Sequence, residues 1–394
     1  MSNYVCVIPS MVEYYKQFGK LDSLDLKIIK ALHKDSTRKV DELAKELNVP
    51  QQTLSYRLGR FGKKDLVRFR AVINEAKLGL KSYIVLGTAK IGKEDYSSSI
   101  MTCFPLWRYL AIVDGWRHGN YVRYIIPPDK ETDLKAFLEE LKNRDIILNY
   151  EIIPTTTPKY PLLNLNFYSK HEGTPVFDGK KWLADFDSFE EKSVEESVGY
   201  IKAKFDIHDL LILRCLEINA RMKHRKIAKE MAIVLGEKNC RKFISLVSRR
   251  MTNVVKKQGF IGTYRTYIFP NPGPTVLFLI YHLNFANSHG LKKFIGGLSY
   301  LPYNTAYQRV LQRDELFVHM AIAVYDYSHI QEVIARLGET GDLKESHLLL
   351  GDLTQATWDN VGIYQMYKNG AWNFSYGVAF KMLEKLERNS KAKK

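Results

Sequence analysis

Apolar residues first recur at helical spacing in Leu24, Ile28, Ile29 and Leu32, one stripe of a short helix. Asp22 marks its start as an N-cap, and Asp25 falls in the electropositive first turn. Leu43, Ala44 and Leu47 continue the period until Asn48-Val49-Pro50 breaks it. Pro50 suits the first position of a new helix, because its φ is fixed and its missing N–H would have no partner there. That helix gathers Leu54, Leu58 and Phe61 on one face and leaves Gln51, Gln52, Ser55, Tyr56, Arg57 and Arg60 on the other. Amides, hydroxyls and guanidiniums facing outward are the groups that major-groove readout uses. After Lys63 and Lys64 the period shortens to two from Leu66 to Asn74, which predicts a strand with Arg68 and Arg70 on one exposed face. Three helices and a basic β-hairpin predict a winged helix-turn-helix.

A different order follows. Residues 82–91, 107–113, 121–126 and 146–153 predict strands, and 95–104 and 130–144 predict helices, the second with Leu134, Phe137, Leu138 and Leu141 on its apolar side. This βαββαβ order is ferredoxin-like. A connector punctuated by Pro161, Gly173, Pro175 and Gly179 is tied down by Trp182, Phe186 and Phe189, and its acidic end, 185–196, predicts a solvated helix face.

Then the plan repeats. Phe205-Asp206-Ile207-His208-Asp209 restates Leu21-Asp22-Ser23-Leu24-Asp25, and Lys226-Ile227-Ala228-Lys229-Glu230-Met231 restates Glu42-Leu43-Ala44-Lys45-Glu46-Leu47. Val247-Ser248-Arg249-Arg250-Met251 parallels Leu54-Ser55-Tyr56-Arg57-Leu58. The second turn is longer, through Gly236-Glu237-Lys238-Asn239, so its recognition helix starts differently. Asn271-Pro272-Gly273-Pro274 marks a hinge into a second βαββαβ run, with strands at 275–283, 306–311, 316–324 and 346–350 and helices at 290–301 and 328–337. The aromatic stretch 364–370 echoes 166–170 and predicts a bracing hairpin, 384–394 predicts a frayed basic end, and 12–18 predicts a short helix on the first domain. The fold class is therefore α+β. Two winged helix-turn-helix domains, 1–76 with an N-terminal extension and 203–272, alternate with ferredoxin-like βαββαβ domains at 77–158 and 273–360. A connector covers 159–202, and an appendage with a basic tail covers 361–394.

LDSLDLKIIKALHKD, VDELAKELNVPQQTLSYRLGRF and LVRFRAVINEAKLGL, in that order, resemble the DNA-binding half of the Lrp/AsnC (feast/famine) family of transcription regulators. The likeness includes the Leu-Asp-x-x-Asp opening, the Arg57-Leu58 pair and the Leu78-Gly79 link. One departure is Asp65, where the family commonly has a glycine before the wing strand; the second copy keeps Gly259. The βαββαβ unit resembles the family's effector-binding and dimerising domain. That resemblance implies a small-molecule effector near the turn after the second strand, at Asp114, Gly115, His118 and Gly119; Arg117 and His118 depart from the usual pattern there. For Asp114-Gly115, turn chemistry alone is the preferred account. In the family two identical chains pair, so two copies in one chain imply an internal pair at high effective concentration, with association into a homodimer left open.

Composition turns the pattern toward a partner. The chain carries 59 Lys and Arg against 43 Asp and Glu, a formal net charge of +16, which favours a polyanion. Between Arg221 and Lys257 twelve Lys or Arg face two Glu, and the run coincides with the second helix-turn-helix, which favours phosphate contact over a merely solvated face. No apolar run approaches the ~20 residues of a membrane-spanning helix, and the N-terminus does not read as a secretory signal. Cys6, Cys103, Cys215 and Cys240 are scattered and the ten histidines dispersed, so neither metal, disulfide nor cofactor is expected. A cytoplasmic, nucleoid-associated protein is the expectation.

The leading expectation is a DNA-binding transcription regulator that is not an enzyme, reading an asymmetric pair of half-sites on double-stranded DNA. Arg57, Arg60, Arg249 and Arg250 are candidates for guanine or phosphate, and Gln51, Gln52 and Asn239 for adenine. Lys63, Lys64, Arg68, Arg70, Lys256 and Lys257 are assigned to backbone. Thr53, Ser55, Tyr56, Lys238, Arg241 and Lys242 complete the set. Two alternatives stand beside it. One is an enzyme resembling the sirohaem decarboxylases, with His118, Arg117 and His319 as its groups. The other is an architectural DNA-binding protein with weak sequence preference.

Overall fold

The computed structural model describes residues 22–63, 67–161, 163–165, 177–191, 203–267, 276–352, 356, 366–374 and 376–391. The expected helix at 12–18, Lys64, the stretch 166–170 and the 271–274 hinge lie outside them.

The first head is built from α1 (Ser23–Lys34), α2 (Val40–Leu47) and α3 (Gln51–Lys63). Asp22 and Asp25 form a reciprocal capping box: the Asp22 carboxylate accepts the Asp25 N–H at 2.9 Å and Asp25 accepts the Asp22 N–H at 3.1 Å. Two of the donors that a helix N-terminus leaves unpaired are thereby satisfied. Asn48, in the left-handed conformation at φ 51°, ends α2 and turns the chain into α3. Ile28, Ile29, Leu32, Leu43, Leu54 and Phe61 form the core of the head. The second head repeats this with α7 (Ile207–Ile218), α8 (His224–Val234) and α9 (Arg241–Arg250). Asp206 and Asp209 form the same capping box. Beyond α9 the helix widens into a π turn over Met251–Lys256.

The wing differs from its expectation. β1 (Arg68–Ile73) does not fold back into a hairpin. It pairs antiparallel with β6 (Ile261–Tyr267) of the second head, in the register Arg68↔Tyr267 and Arg70↔Arg265, as a separate two-stranded ribbon. Each strand also packs on the other head. The Ala220 N–H behind α7 donates to the Phe69 carbonyl of β1 at 2.8 Å, and Thr266 of β6 bonds Ser36 and the Leu32 carbonyl behind α1. Arg221 donates to the carbonyls of Ser36 and Arg38 at 2.7 and 2.9 Å. The heads are interlocked.

Beneath them lie two βαββαβ runs. The first is β2 (Lys81–Ala89), α4 (Glu94–Met101), β3 (Trp107–Gly115), β4 (Gly119–Ile126), α5 (Glu131–Asn143) and β5 (Ile147–Thr155). The second is β7 (Val276–Phe285), α10 (Ser288–Gly297), β8 (Asn304–Arg309), β9 (Glu315–Ala323), α11 (Tyr327–Glu339) and β10 (Leu343–Gly351). Every element falls within a few residues of its sequence expectation. The strands share one eight-stranded sheet, in the order β5-β2-β4-β3-β10-β7-β9-β8. The two runs join at β3–β10, where Leu350 opposes Asp114. The far edges meet as well: Thr155 bridges Val310, and Lys159 bridges Tyr307. In each run the second strand therefore meets the last strand of the other, a pseudo-twofold arrangement. Ile84, Leu86, Tyr121 and Ile153 face Ile280, Val310, Phe317 and Leu349 inside this closed sheet, while α4, α5, α10 and α11 cover its outside. With both faces covered, all eight residues of β4 are buried, and each large apolar side chain placed there contributes about 1.5–3 kcal/mol.

The connector and tail brace this body. Trp182, Phe186 and Phe189, in and after α6 (Gly179–Ala184), pack into the second run, and the Trp182 indole N–H donates to the Gly297 carbonyl at 3.0 Å. Its acidic side chains are not simply solvated: Asp187 meets Lys293 at 2.7 Å and Glu191 meets His289 at 2.8 Å, both on α10. The expected hairpin forms as β11 (Tyr367–Lys368) and β12 (Ala371–Trp372), with the Trp372 indole N–H donating to the Leu78 carbonyl at 2.8 Å. Of the end expected to fray, 384–391 is instead helical, as the last part of α12 (Tyr376–Lys391), which packs on α5 with Glu387 3.1 Å from Arg144; 392–394 lie outside the described residues.

Candidate nucleic-acid interface and the cavity beneath it

On α3 the exposed side chains are Gln51, Gln52, Ser55 and Tyr56, and Tyr56 is 71% exposed although aromatic. Thr53 is half-buried. Arg57 and Arg60 do not join the outward face. Arg57 bonds Asp22 and also Asp25, the latter at 3.0 Å, and Arg60 bonds Asp25, whose carboxylate is wholly buried. Both guanidiniums therefore clamp α3 to the capping box of α1. The Asp22 bond leads in raising Arg57 above the ordinary arginine value. Burial pushes Asp22 up, but the Asp25 N–H and Arg57 more than offset it and hold its carboxyl low.

The second head uses the same clamp. Arg250 lies 2.7 Å from Asp206 and 2.8 Å from Asp209, so it too is turned inward. Its outward face carries Arg241, Lys242, Ser245, Ser248 and Arg249, continued by exposed Lys256 and Lys257. Lys242 pairs with Glu237 at 2.7 Å, Lys238 is exposed, and the Asn239 carboxamide accepts the Arg241 N–H at 2.9 Å, starting the helix in place of a proline. Of the strand residues assigned to DNA backbone, Arg70 is 7% exposed under the inter-head ribbon and Arg68 is half-buried, because β1 pairs with β6 instead of waving in solvent. Nothing is described of the Lys63 side chain.

The turn expected to hold an effector serves the junction of the two runs. Trp116 donates its N–H to the Leu348 carbonyl at 2.9 Å and stacks on His347 at 4.1 Å between ring centroids. Gly119, at φ 146°, would bring a Cβ within 2.2 Å of the Gly87 carbonyl, so only glycine fits. His118 sits between Glu94 at 2.5 Å and Asp114 at 3.3 Å; the Glu94 bond leads in raising its pKa. Arg117 bonds Glu151. None of Asp114, Gly115, His118 and Gly119 lines the cavity beneath the inter-head ribbon.

That cavity, about 170 Å³, lies between the ribbon and the closed sheet. Arg70 and Arg265 line it from above, Arg108, Arg123 and His319 from the sheet, with Glu75 and Glu217 among them. Arg123 holds Glu75 through two bonds of 2.8 and 2.9 Å, and Arg108 bonds Glu217. Burial pushes the Glu217 carboxyl up against the pull of Arg108. Arg265 stacks between Tyr160 and Tyr267, 3.9 Å from each ring centroid. His319 meets the Tyr121 hydroxyl at 2.8 Å, and burial, helped by Arg123 and Arg265, pushes its pKa down to about 3, so it is neutral. Of the three groups assigned to a decarboxylase, only His319 faces this space. Arg108, Arg123 and Arg265 were missed by sequence reading. For Arg108 and Arg123 the signal was one charge inside an otherwise apolar or aromatic run, as in Tyr121-Val122-Arg123-Tyr124-Ile125-Ile126; Arg265, among threonines and tyrosines, carried none.

Two locked helix-turn-helix heads with polar outward faces define a protein of the nucleic-acid-binding class. Residues 21–68 match the family described as winged helix-turn-helix DNA-binding. Two uncharacterised HTH-type transcriptional regulators of Pyrococcus horikoshii are similar. One is 28% identical over 140 residues, covering 34% of this chain and 91% of the relative. The other is 27% identical over 142 residues, covering 36% and 89%. Among solved structures, an AsnC family transcriptional regulator from Agrobacterium tumefaciens is 20% identical over 34% of this chain and 89% of its own, at a TM-score of 0.29. The siroheme decarboxylase NirDL is 12% identical over 92% of this chain and 98% of its own, at 0.47. Likenesses between folds at this level leave function to the site. The first head is a winged helix-turn-helix of the DNA-binding kind, and about a third of the chain is similar to HTH-type transcriptional regulators. Among the described residues no helix is long and apolar enough to cross a membrane.

Proposed function

We propose that this chain is a DNA-binding transcription regulator of the Lrp/AsnC plan, duplicated in tandem, whose two heads read an asymmetric pair of half-sites. The observation that carries this is the pairing of β1 with β6, which fixes two unlike recognition helices in one rigid frame. Gln51, Gln52, Ser55 and Tyr56 are the base-reading side chains of the first head. Arg241, Arg249, Lys256 and Lys257 supply most of the second head's grip on phosphate. Helices held at a fixed separation select half-sites about one helical turn (~34 Å) apart or a multiple of it.

The test is selection of bound sequences from random DNA, followed by anisotropy titrations over a range of salt. Gln52→Ala with Tyr56→Ala should relax preference at one half-site only, each base-reading interaction being worth ~1–3 kcal/mol. Lys256→Ala with Lys257→Ala should weaken all sequences alike and lower the salt slope by about one for each phosphate no longer neutralised. No sequence enrichment at any salt, with uniform footprints, would leave an architectural protein instead. The enzymatic alternative draws on His319 at the arginine-lined cavity. A purified protein carrying a tetrapyrrole absorbance band would favour it.

A further inference from the structure

The two recognition helices diverge after the arginine that clamps each to its capping box. In α3 the first wholly buried side chain after Arg57 is Phe61, four residues on. In the second head the first wholly buried side chain after Arg250 is Val255, five residues on. The π turn over Met251–Lys256 accounts for the difference, because it holds one residue more than an α turn. The second guanidinium of the first head's clamp, Arg60, therefore has no counterpart. Counting along the sequence gives Asn253 and counting from the buried side chain gives Val254, and neither carries a charge. The surplus residue is turned to solvent: Thr252 and Asn253 are both exposed. Among the described residues the Asn253 carboxamide has no hydrogen-bond partner.

Ser245, Arg249 and Asn253 are exposed at intervals of four, so they share one row of the helix surface. Exposed basic side chains bracket that row, Arg241 and Lys242 at one end and Lys256 and Lys257 at the other. Phosphate contacts fix how an element lies on the duplex, and base edges are read between them. A helix gripped at both ends lies along the groove rather than meeting it end-on, which brings the far end of the row to the bases. We propose that Asn253 reads an adenine for the second head. Its carboxamide oxygen accepts from the adenine N6 amino group while its nitrogen donates to N7, a pairing that an asparagine makes bidentately. Asn239, at the other end of the helix, is held away from this task, because its carboxamide oxygen accepts the Arg241 N–H. The first head thus reads with amides at the start of its helix, Gln51 and Gln52, and the second with one beyond the end of α9. The inference rests on the reading that the heads bind DNA.

The experiment is selection of bound sequences from random DNA by the full chain, with the parent, Asn253→Ala and Asn253→Asp in parallel. Thermal melts and salt titrations accompany each protein. The parent is expected to enrich an adenine at one position of one half-site. Asn253→Ala should lower the preference for that base about tenfold or more and leave the other half-site as it was. Its salt slope should match the parent's, since no phosphate contact is lost, and its Tm should not move, since the side chain is exposed. Asn253→Asp, an acceptor only, should replace the adenine by a cytosine, whose N4 amino group donates. The inference is overturned if Asn253→Ala keeps the parent's profile, if it weakens all sequences alike, or if both half-sites change together with a fall in Tm. An adenine retained by Asn253→Asp also overturns it. A parent that enriches no sequence removes the proposed function and this inference with it. A parent with defined half-sites and an unaltered Asn253→Ala profile removes the inference alone.

Discussion

Arg57 and Arg60 illustrate how far a side chain's role depends on what its helix leans against. On a helical wheel both sit at the edge of the polar face, where nothing in α3 decides whether they turn out or in. The buried Asp25 carboxylate decides it, and the same happens at Arg250 with Asp206 and Asp209. Arg57→Ala and Arg60→Ala are each expected to lower stability by about 1–2 kcal/mol, because each leaves Asp25 one charged partner. The pair should lose more than the sum, since only the double variant strands a buried carboxylate. Urea denaturation of the single and double variants measures this, and additive losses would contradict a shared partner. Sequence spacing therefore identified α3 and its exposed Gln51, Gln52, Ser55 and Tyr56, but not the orientation of its arginines.

At the scale of elements, the local period carried nearly everything except pairing. The heads' helices and each strand and helix of both βαββαβ runs were legible, because their apolar spacing is written in a dozen contiguous residues. The partner of β1 was not. Alternation says that one side of a strand is buried, while the strand that buries it lies almost two hundred residues away. The first residue of β4 shows how narrowly such junctions are built. Gly119→Ala would drive a Cβ into the Gly87 carbonyl and the Ala89 amide nitrogen, both backbone atoms that cannot move aside alone. A loss on the order of 3 kcal/mol or more is expected from chemical denaturation. Gly59→Ala, in α3 with open space around it, should gain about 0.5–1 kcal/mol and serves as the control.

Across the whole molecule, neutral histidines sit at joints between parts. His33 of the first head accepts the Leu163 N–H of the connector at 2.7 Å, and burial, with Arg265, pushes its pKa down to about 4. His319 joins the two runs through Tyr121 and is held at about 3. Both have folded pKa values below the ordinary 6.5, so their contribution is complete above pH 6.5 and is lost as pH falls through the folded values. Melting temperature should therefore drop between pH 6.5 and about 4, before most carboxylates titrate. His33→Gln should flatten that slope, and a slope unchanged by the substitution would assign the acid sensitivity elsewhere. Sequence alone placed neither histidine at a joint, because each partner comes from a distant segment.

The exchange of β1 and β6 between the heads also has a consequence for synthesis. Ser36 of the first head emerges from the ribosome 230 residues before Thr266 arrives to close the gap behind it. At ordinary elongation rates that interval is on the order of 10–50 s. During it β1 is an unpaired edge, and the apolar side of the nascent head remains partly open to water. A chain that must wait for its own far half is vulnerable in time as well as in space, and its folding yield will depend on what shelters that edge during the wait.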